Sequence, residues 1–321
     1  MNSKKTYLFL TIIIFSFGCI TDSSPIKTKK DKVADVSIVV LGNVQDAGSP
    51  HIACKKECCR ELFLKPNPLR KVVSLGLIDP ENDDSYLFEA TPNIAEQLKI
   101  LKSYTWNKEK ELPAAVFLTH AHIGHYTGLM YFGKEAMNAQ EQSVFAMPKM
   151  REFLEKNGPW SQLVKNKNIR LQTLSSGTIV QLSPKIQVSA FSVPHRDEYS
   201  ETVGYRIKGP YKSALFIPDI DKWSKWEMDI LTEIAEVDYA FLDATFYDAA
   251  EINNRDISEI PHPFIVESME LFKTLPAKEK SKIKFIHMNH TNPALDESSD
   301  ATKTILENGF GIARMHDVFA L

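Results

Sequence analysis

The sequence predicts an α/β fold (α+β in arrangement), in which two sheets form the middle of a layered domain and helices cover their outer faces. Three observations support this class. Apolar segments of strand length come in two blocks, and each block is accompanied by segments with helical spacing. No internal repeat with a period of about 20–50 residues is present. The 321 residues are enough for one large domain of this kind or two modest ones.

The predicted elements follow from apolar runs, from helical spacing and from the turn residues between them. The loop at residues 42–50 is rich in turn residues. We predict strands at residues 38–41, 72–77, 86–88, 114–118, 169–174, 179–182, 186–193, 203–207, 214–217, 239–242, 283–286 and 318–321. We predict helices at residues 94–101, 129–137, 150–155, 223–234, 263–275 and 303–308.

The first residues predict export. Lys4 and Lys5 precede an apolar run at residues 7–17, which is shorter than the about 20 residues that cross a membrane. Cys19 follows a small residue at the end of this run, as in a bacterial lipoprotein signal. We therefore expect a signal at residues 1–19, a polar tether at residues 20–35 and a folded domain at residues 36–321. The expected location is the periplasmic side of a bacterial membrane, with a lipid anchor at Cys19.

The composition leaves the class of partner open. The formal net charge is −3, and 25% of the residues are charged, so no basic excess favours binding to long nucleic acids. We expect a small-molecule substrate and contact with the membrane only through the lipid anchor.

A cluster of histidines is the strongest functional signal. His120, His122 and His125 lie within six residues, directly after the apolar segment 114–118. Imidazole is the commonest metal ligand in proteins. Residues 120 and 122 alternate along an extended backbone and therefore point the same way. His125 follows a turn at Gly124 and reaches back from the start of a helix. The pattern predicts a metal site.

Further polar side chains follow other predicted strands, where rigid elements hold them in a fixed geometry. A single histidine or aspartate after a strand is usually a cap or turn residue. Four such positions downstream of the histidine cluster favour a shared site instead. They are His195, Asp219, Asp243 and His287.

The order His120-x-His122-x-x-His125, then His195, Asp219 and His287, resembles the metallo-β-lactamase superfamily. Four segments are similar to its pyrroloquinoline quinone biosynthesis B protein branch, namely residues 41–48, 88–94, 202–206 and 286–293. Residues 242–246, with His262 downstream, resemble the phosphodiesterase and tRNA 3′-processing branch. These likenesses argue against a β-lactamase activity.

The resemblance implies an αββα sandwich of two mixed sheets with a zinc centre at one end. It implies a first metal site at His120, His122 and His195, with Asp219 bridging to a second site at His125 and His287. The family pattern has an aspartate where this chain has Gly124. We therefore expect one secure Zn²⁺ site and a second that is weakened or absent, with Mn²⁺ and Fe²⁺ as alternative metals.

Such a site favours hydrolysis of a phosphodiester or another ester, because a bound zinc ion lowers the pKa of its water to about 7. His262 and His290 are the candidates for the general acid. Asp243 is either a partner that orients a ligand histidine or a strand-end cap. The alternative function is an iron-dependent oxygenase or a cofactor-maturation protein like the quinone-biosynthesis branch, since histidine and carboxylate ligands also accept iron.

The remaining cysteines lie close together in the chain. His51, Cys54, Cys58 and Cys59 offer four potential ligands within nine residues, which is compatible with a structural zinc. A disulfide with one thiol left over, or unpaired thiols, are the other interpretations.

Overall fold

Two sheets of seven strands form the middle of the computed structural model, which describes residues 32–107, 109–253 and 255–321. The predicted signal, Cys19 and most of the predicted tether lie outside the described residues. The strands are β1 (Ser37–Gly42), β2 (Ser74–Asp79), β3 (Asp84–Phe88), β4 (Ala115–Phe117), β5 (Gln142–Ala146), β6 (Ile169–Thr173), β7 (Ile179–Ser183), β8 (Ile186–Ser192), β9 (Val203–Lys208), β10 (Ser213–Ile217), β11 (Tyr239–Asp243), β12 (Ile283–Ile286), β13 (Gly311–Ile312) and β14 (Val318–Ala320).

Helices lie between these strands in both halves of the chain. They are α1 (Glu57–Leu64), α2 (Ile94–Ser103), α3 (Ile123–Tyr126), α4 (Pro148–Lys156), α5 (Trp160–Lys165), α6 (Ile230–Ala235), α7 (Ile265–Leu271), α8 (Ala277–Lys282) and α9 (Asp300–Glu307). Short 3₁₀ helices occur at Thr127–Phe132, Trp223–Lys225, Ala249–Ile252, Ile257–Glu259 and Pro293–Leu295. No helix within the described ranges is both long enough and apolar enough to span a membrane.

Both sheets are mixed and are built in the same way. The first has the order β14-β1-β2-β3-β4-β5-β6, and the second has the order β13-β12-β11-β10-β9-β8-β7. Pairing is antiparallel from β14 to β3 and parallel from β3 to β6. In the second sheet it is antiparallel from β7 to β10 and parallel from β10 to β13. The prediction of two mixed sheets is confirmed.

The main core lies between the two sheets. Phe88 and Phe117 of the first sheet contact Tyr205 of the second, with ring centroids 5.3 and 5.7 Å away. The Tyr205 hydroxyl donates a hydrogen bond to the carbonyl of Leu118, just beyond β4. Separate apolar clusters cover the outer faces, one between the first sheet and α2, α4 and α5, and one between the second sheet and α6, α7 and α9. This is the αββα layering that the sequence predicts.

Most predicted elements are present, but several details differ. The segment 129–137 was predicted as a helix, but the structure has the 3₁₀ helix Thr127–Phe132 there. The predicted helix 223–234 is divided into a 3₁₀ turn and α6. Five further elements were not predicted, because each has eight residues or fewer: β5, β13, α1, α5 and α8.

Candidate metal centre

Strand direction brings the polar residues to one edge of the sandwich. β1, β3 and β4 run in one direction within the first sheet, as do β8, β10, β11 and β12 within the second. The segments that follow these strands meet at the same end of the molecule. Two hydrogen bonds join the segment after β4 to the one that enters β9: Ala121 N–H donates to Ser200 Oγ at 2.8 Å, and Val203 N–H donates to the Thr119 carbonyl at 3.2 Å.

A first group of ligand atoms comes from His120, His122, His195 and Asp219, and all of these atoms lie within 4.8 Å of one another. Asp219 Oδ2 is 3.3 Å from His120 Nε2, and Asp219 Oδ1 is 3.3 Å from His195 Nε2. His122 lies on the open side of the group, where its Nε2 is 3.4 Å from Glu198 Oε2. The structure therefore brings the predicted first set together.

A second group shares Asp219 with the first. It consists of Asp46, His125, Asp219 and His287, again with ligand atoms within 4.8 Å of one another. Asp219 Oδ2 is 3.6 Å from His125 Nε2 and 3.9 Å from His287 Nε2. Asp46 Oδ1 lies 2.9 and 3.2 Å from the same two nitrogens. Asp219 is thus the common member, as the resemblance implies.

Asp46 was missed by the sequence analysis. It lies four residues beyond β1, in a loop that is rich in turn residues and belongs to the segment 41–48 with its likeness to the quinone-biosynthesis branch. The rule that found the other residues, a polar side chain following a strand, applies to it as well. However, nothing in the local sequence indicates that this loop folds over α3.

Three of the imidazoles, those of His120, His125 and His287, are held on their other side by a neighbouring group. Thr119 Oγ1 lies 2.9 Å from His120 Nδ1, Glu89 Oε2 lies 3.1 Å from His125 Nδ1, and Thr245 Oγ1 lies 2.9 Å from His287 Nδ1. Partners of this kind orient an imidazole and leave its Nε2 available to a metal.

Two residues of the centre have an unusual backbone conformation. Glu89 and His287 have positive φ angles of 77° and 65°. Left-handed conformations of non-glycine residues cost free energy and are concentrated at functional sites. Both residues are fully buried, so the surrounding packing holds them there.

Several ligand atoms lack a well-formed hydrogen bond among the described residues. His120 Nε2, His195 Nε2 and Asp219 Oδ1 are buried without a hydrogen bond of acceptable geometry. Buried polar atoms are normally satisfied, because an unpaired one costs about 1–3 kcal/mol. Three such atoms that face one another fit a cation between them. The residues present therefore suit a divalent metal.

The charge states of His120 and Asp219 support the same conclusion. Burial lowers the pKa of His120 well below the ordinary imidazole value, so its ring is neutral and able to act as a ligand. Burial alone would raise the pKa of Asp219, but His195 and His287 nearby hold it well below the usual carboxyl range. A neutral imidazole next to an ionised carboxylate is the donor set that a divalent cation prefers.

His262 and Asp243 form a pair at the rim of both groups. His262 Nδ1 is 2.9 Å from Asp243 Oδ2 and 3.1 Å from Asp219 Oδ1. Asp243 also accepts backbone hydrogen bonds from Ile220 at 3.1 Å and Thr245 at 2.9 Å, which fix its position. Burial opposes the positive charge on His262, but Asp243 and then Asp219 raise its pKa to about 10. The Nδ1 atom of His262 is therefore engaged by these two carboxylates, and its Nε2 atom is available to contact another group.

The cysteines form a separate group. Cys54, Cys58, Cys59 and His290 have ligand atoms within 4.8 Å of one another, and the three thiols are free of disulfides. His290 therefore lies with the cysteines and not with the histidine centre. Burial lowers its pKa to about 4, so a neutral ring faces the thiols, which argues against its predicted role as a general acid.

His51 was predicted as a ligand beside these cysteines, but the structure does not place it in the group. Its Nδ1 lies 2.8 Å from the Ile52 carbonyl oxygen, and its ring centroid is 4.4 Å from that of His290. Asn289 Oδ1 lies 2.9 Å from His290 Nδ1, which leaves His290 Nε2 for the thiols.

Comparison with known families agrees with this geometry. The family described as "Beta-lactamase superfamily domain" matches residues 78–288. The chain belongs to the beta-lactamase superfamily. The matched residues include most strands of both sheets and all four residues of the first group.

Within this superfamily, the chain is similar to proteins of the quinone-biosynthesis branch. It is 22% identical over 305 residues to coenzyme PQQ synthesis protein B of Methylorubrum extorquens strain PA1, covering 88% of this chain and 99% of the relative. The crystal structure of Zn²⁺-bound PqqB from Methylobacterium extorquens superposes with a TM-score of 0.73 at 21% identity, covering 89% of this chain and all of that one. A diphosphatase of the PhnP family superposes with a TM-score of 0.62 at 19% identity, with coverage of 89% and 97%. At these identities the solved structures establish the shared fold.

Proposed function

We propose that this protein is a metal-dependent hydrolase that cleaves a phosphodiester or another ester of a small molecule. One observation carries the proposal: buried ligand atoms of His120, His195 and Asp219 face one another without hydrogen bonds, at the edge where His122 opens to solvent. This arrangement has a protein-bound side and an open side, as a catalytic metal site requires.

The residues of the first group would hold a zinc or manganese ion and fix its orientation. When bound, such an ion supplies a hydroxide nucleophile near neutral pH and polarises an ester oxygen. Thr119 keeps the His120 ring in place through Nδ1, and the carboxylate of Asp219 contributes negative charge between the two groups. The substrate enters from the side of His122 and Glu198, whose side chains are 15% and 52% exposed.

His262 is the proposed general acid. Its Nδ1 is held by Asp243, so the protonated ring presents Nε2–H to the leaving-group oxygen. The Lys222 ammonium donates to the His262 carbonyl at 2.8 Å and to Glu267 at 2.6 Å, which anchors the loop before α7. Asp243 does not contact substrate in this proposal and is a positioning residue.

The test is turnover of bis-p-nitrophenyl phosphate by the full chain after removal of metal and addition of zinc or manganese. We expect no activity from the chelated protein and recovery when the ion is restored. Absence of turnover with either ion, while a comparable carboxylic ester is also left intact, would reject the hydrolase.

The second candidate is an iron-dependent oxygenase or a cofactor-maturation protein, and the relatives named coenzyme PQQ synthesis protein B support a role in cofactor synthesis. The same histidine and carboxylate ligands accept iron. Metal analysis of the protein as isolated separates the two candidates. Tightly bound iron together with consumption of oxygen would support the second function and replace the first.

We also propose that Cys54, Cys58, Cys59 and His290 hold a structural zinc. Three thiol sulfurs and one imidazole are a common tetrahedral set for zinc. Cys58 and Cys59 lie in the first turn of α1, where burial raises the pKa of both thiols, to about 12 for Cys59, so that binding of an ion would release their protons. The site would connect the loop before α1 to the segment after β12.

Substitution Cys58→Ser is expected to release one zinc ion per chain and to lower Tm, because the remaining three ligands bind the ion more weakly. Each kcal/mol of lost stability lowers Tm by about 2–4 °C in a domain of this size. Zinc content by mass spectrometry and thermal unfolding measure the effect. Glu61→Gln, an exposed change on the same helix, is the control. Unchanged zinc content and Tm in Cys58→Ser would show that the thiols hold no ion.

A further inference from the structure

The loop after β1 reaches the metal centre through a single carboxylate. Asp46 Oδ1 lies 2.9 Å from His125 Nε2 and 3.2 Å from His287 Nε2. Asp219 Oδ2 faces the same two nitrogens at 3.6 and 3.9 Å. One oxygen from each carboxylate therefore points at both imidazoles.

The position of this loop is fixed by backbone hydrogen bonds and not by the carboxylate alone. Gln45 N–H donates to the Met288 carbonyl and Met288 N–H donates to the Asn43 carbonyl, each at 2.8 Å. Asn43 Nδ2 also donates to the Ala313 carbonyl at 2.9 Å. The loop is thus paired with the residue that follows His287, and Asp46 is presented from a rigid segment.

Gly124 provides the space that Asp46 occupies. A Cβ at position 124 would lie 2.4 Å from Asp46 Cα and 2.7 Å from both Asp46 Cβ and Asp46 Cγ. Real Cβ atoms do not approach other heavy atoms so closely, so a side chain at position 124 and the present position of Asp46 exclude each other. Gly124 lies in α3 between His122 and His125, and the glycine therefore admits a carboxylate from elsewhere in the chain.

A buried ion pair between Asp46 and His125 is the simpler interpretation of these contacts. It does not account for the second imidazole, because His287 Nε2 points at the same oxygen. The Nδ1 atoms of both rings already have partners in Glu89 and Thr245, so both Nε2 atoms are directed inward together. Two imidazole nitrogens and two carboxylate oxygens that converge in this way form a typical ligand set for a divalent cation.

We propose that Asp46 is a ligand of a second divalent ion, together with His125, His287 and Asp219, and that Gly124 is required to admit it. The centre then holds two ions that share Asp219, and the expectation of a weakened second site, drawn from Gly124 alone, is replaced. This inference rests on the proposed function, since the second ion would act beside the first.

The test is the number of zinc ions bound by the full chain, measured by mass spectrometry after reconstitution and removal of free metal. We expect Asp46→Ala to bind one ion fewer than the unaltered chain, with affinity at the second site lowered by more than about 100-fold. Asp300→Asn, at a carboxylate that is 97% exposed, is the matched control and should keep every ion. Equal ion counts in Asp46→Ala and the unaltered protein would overturn the assignment.

A second variant acts on the same site without removing a ligand. Gly124→Ala should displace the loop that carries Asp46 and also remove one ion, and the double variant with Asp46→Ala should lose no more than either single change. Gly158→Ala, where a Cβ meets no atom within 4 Å, is the control. A folded Gly124→Ala protein with a full ion count would contradict the proposal.

The result is distinguishable from failure of the proposed function. If the chain is not a hydrolase, the ion counts still separate Asp46→Ala from the unaltered protein while turnover is absent in both. If only the second site is wrongly assigned, turnover requires metal and the two ion counts are equal.

Discussion

Replacement of His120 by alanine is expected to remove the ion of the first group and to reduce turnover of bis-p-nitrophenyl phosphate to the uncatalysed rate. His120 is 1% exposed, its Nε2 has no hydrogen bond, and its Nδ1 is already held by Thr119. Alanine at this position leaves a small cavity and provides no atom that can bind the metal ion. Since loss of a residue that merely supports a ligand lowers metal affinity 10–100-fold, loss of the ligand itself should exceed about 100-fold.

The matched control is His316→Ala, which removes an imidazole that belongs to none of the ligand groups. Both variants are assayed at saturating zinc, with circular dichroism to establish that each is folded. Turnover that survives in folded His120→Ala would place the chemistry elsewhere and reject the first group as the catalytic site.

Substitution His262→Gln should leave the metal content intact and lower kcat by about 10²–10⁴-fold for substrates whose leaving group needs a proton. The glutamine amide preserves a hydrogen bond to Asp243 but cannot transfer a proton. The effect should be much smaller for p-nitrophenyl esters, because p-nitrophenolate departs readily without protonation. A dinucleotide, whose leaving group is a sugar alkoxide, is the sensitive substrate.

The comparison of the two substrates distinguishes a general acid from a structural role. A structural defect would reduce both rates by the same factor, whereas loss of an acid affects the dinucleotide selectively. His316→Gln serves as the control for the change of residue type. Equal losses on the two substrates would exclude His262 as the proton donor.

The sequence predicted the layered fold and most of the centre because both depend on local patterns. Strands are visible as apolar runs, and polar residues that follow strands of common direction meet at one edge. This reasoning brought His120, His195 and Asp219 together correctly. The same reasoning placed Asp243 near the site. The structure shows in addition that Asp243 contacts His262.

The features of the centre that the sequence did not predict depend on contacts between distant parts of the chain. Asp46 and Gly124 are 78 positions apart, so neither indicates the other in a linear sequence. Gly124 considered alone suggested a missing ligand, and only the structure shows that Asp46 lies against it. His290 was likewise assigned by its distance from His287 along the chain, but the structure places its ring beside the cysteines.

The pairing of β14 with β1 has a consequence for the order of folding. β14 pairs with β1, and His287 meets Asp46 across 241 positions of sequence. Contacts of such long range form late, because the closure of long loops must precede them. The second group would therefore be completed late in folding, and its ion would bind a domain that is already largely folded.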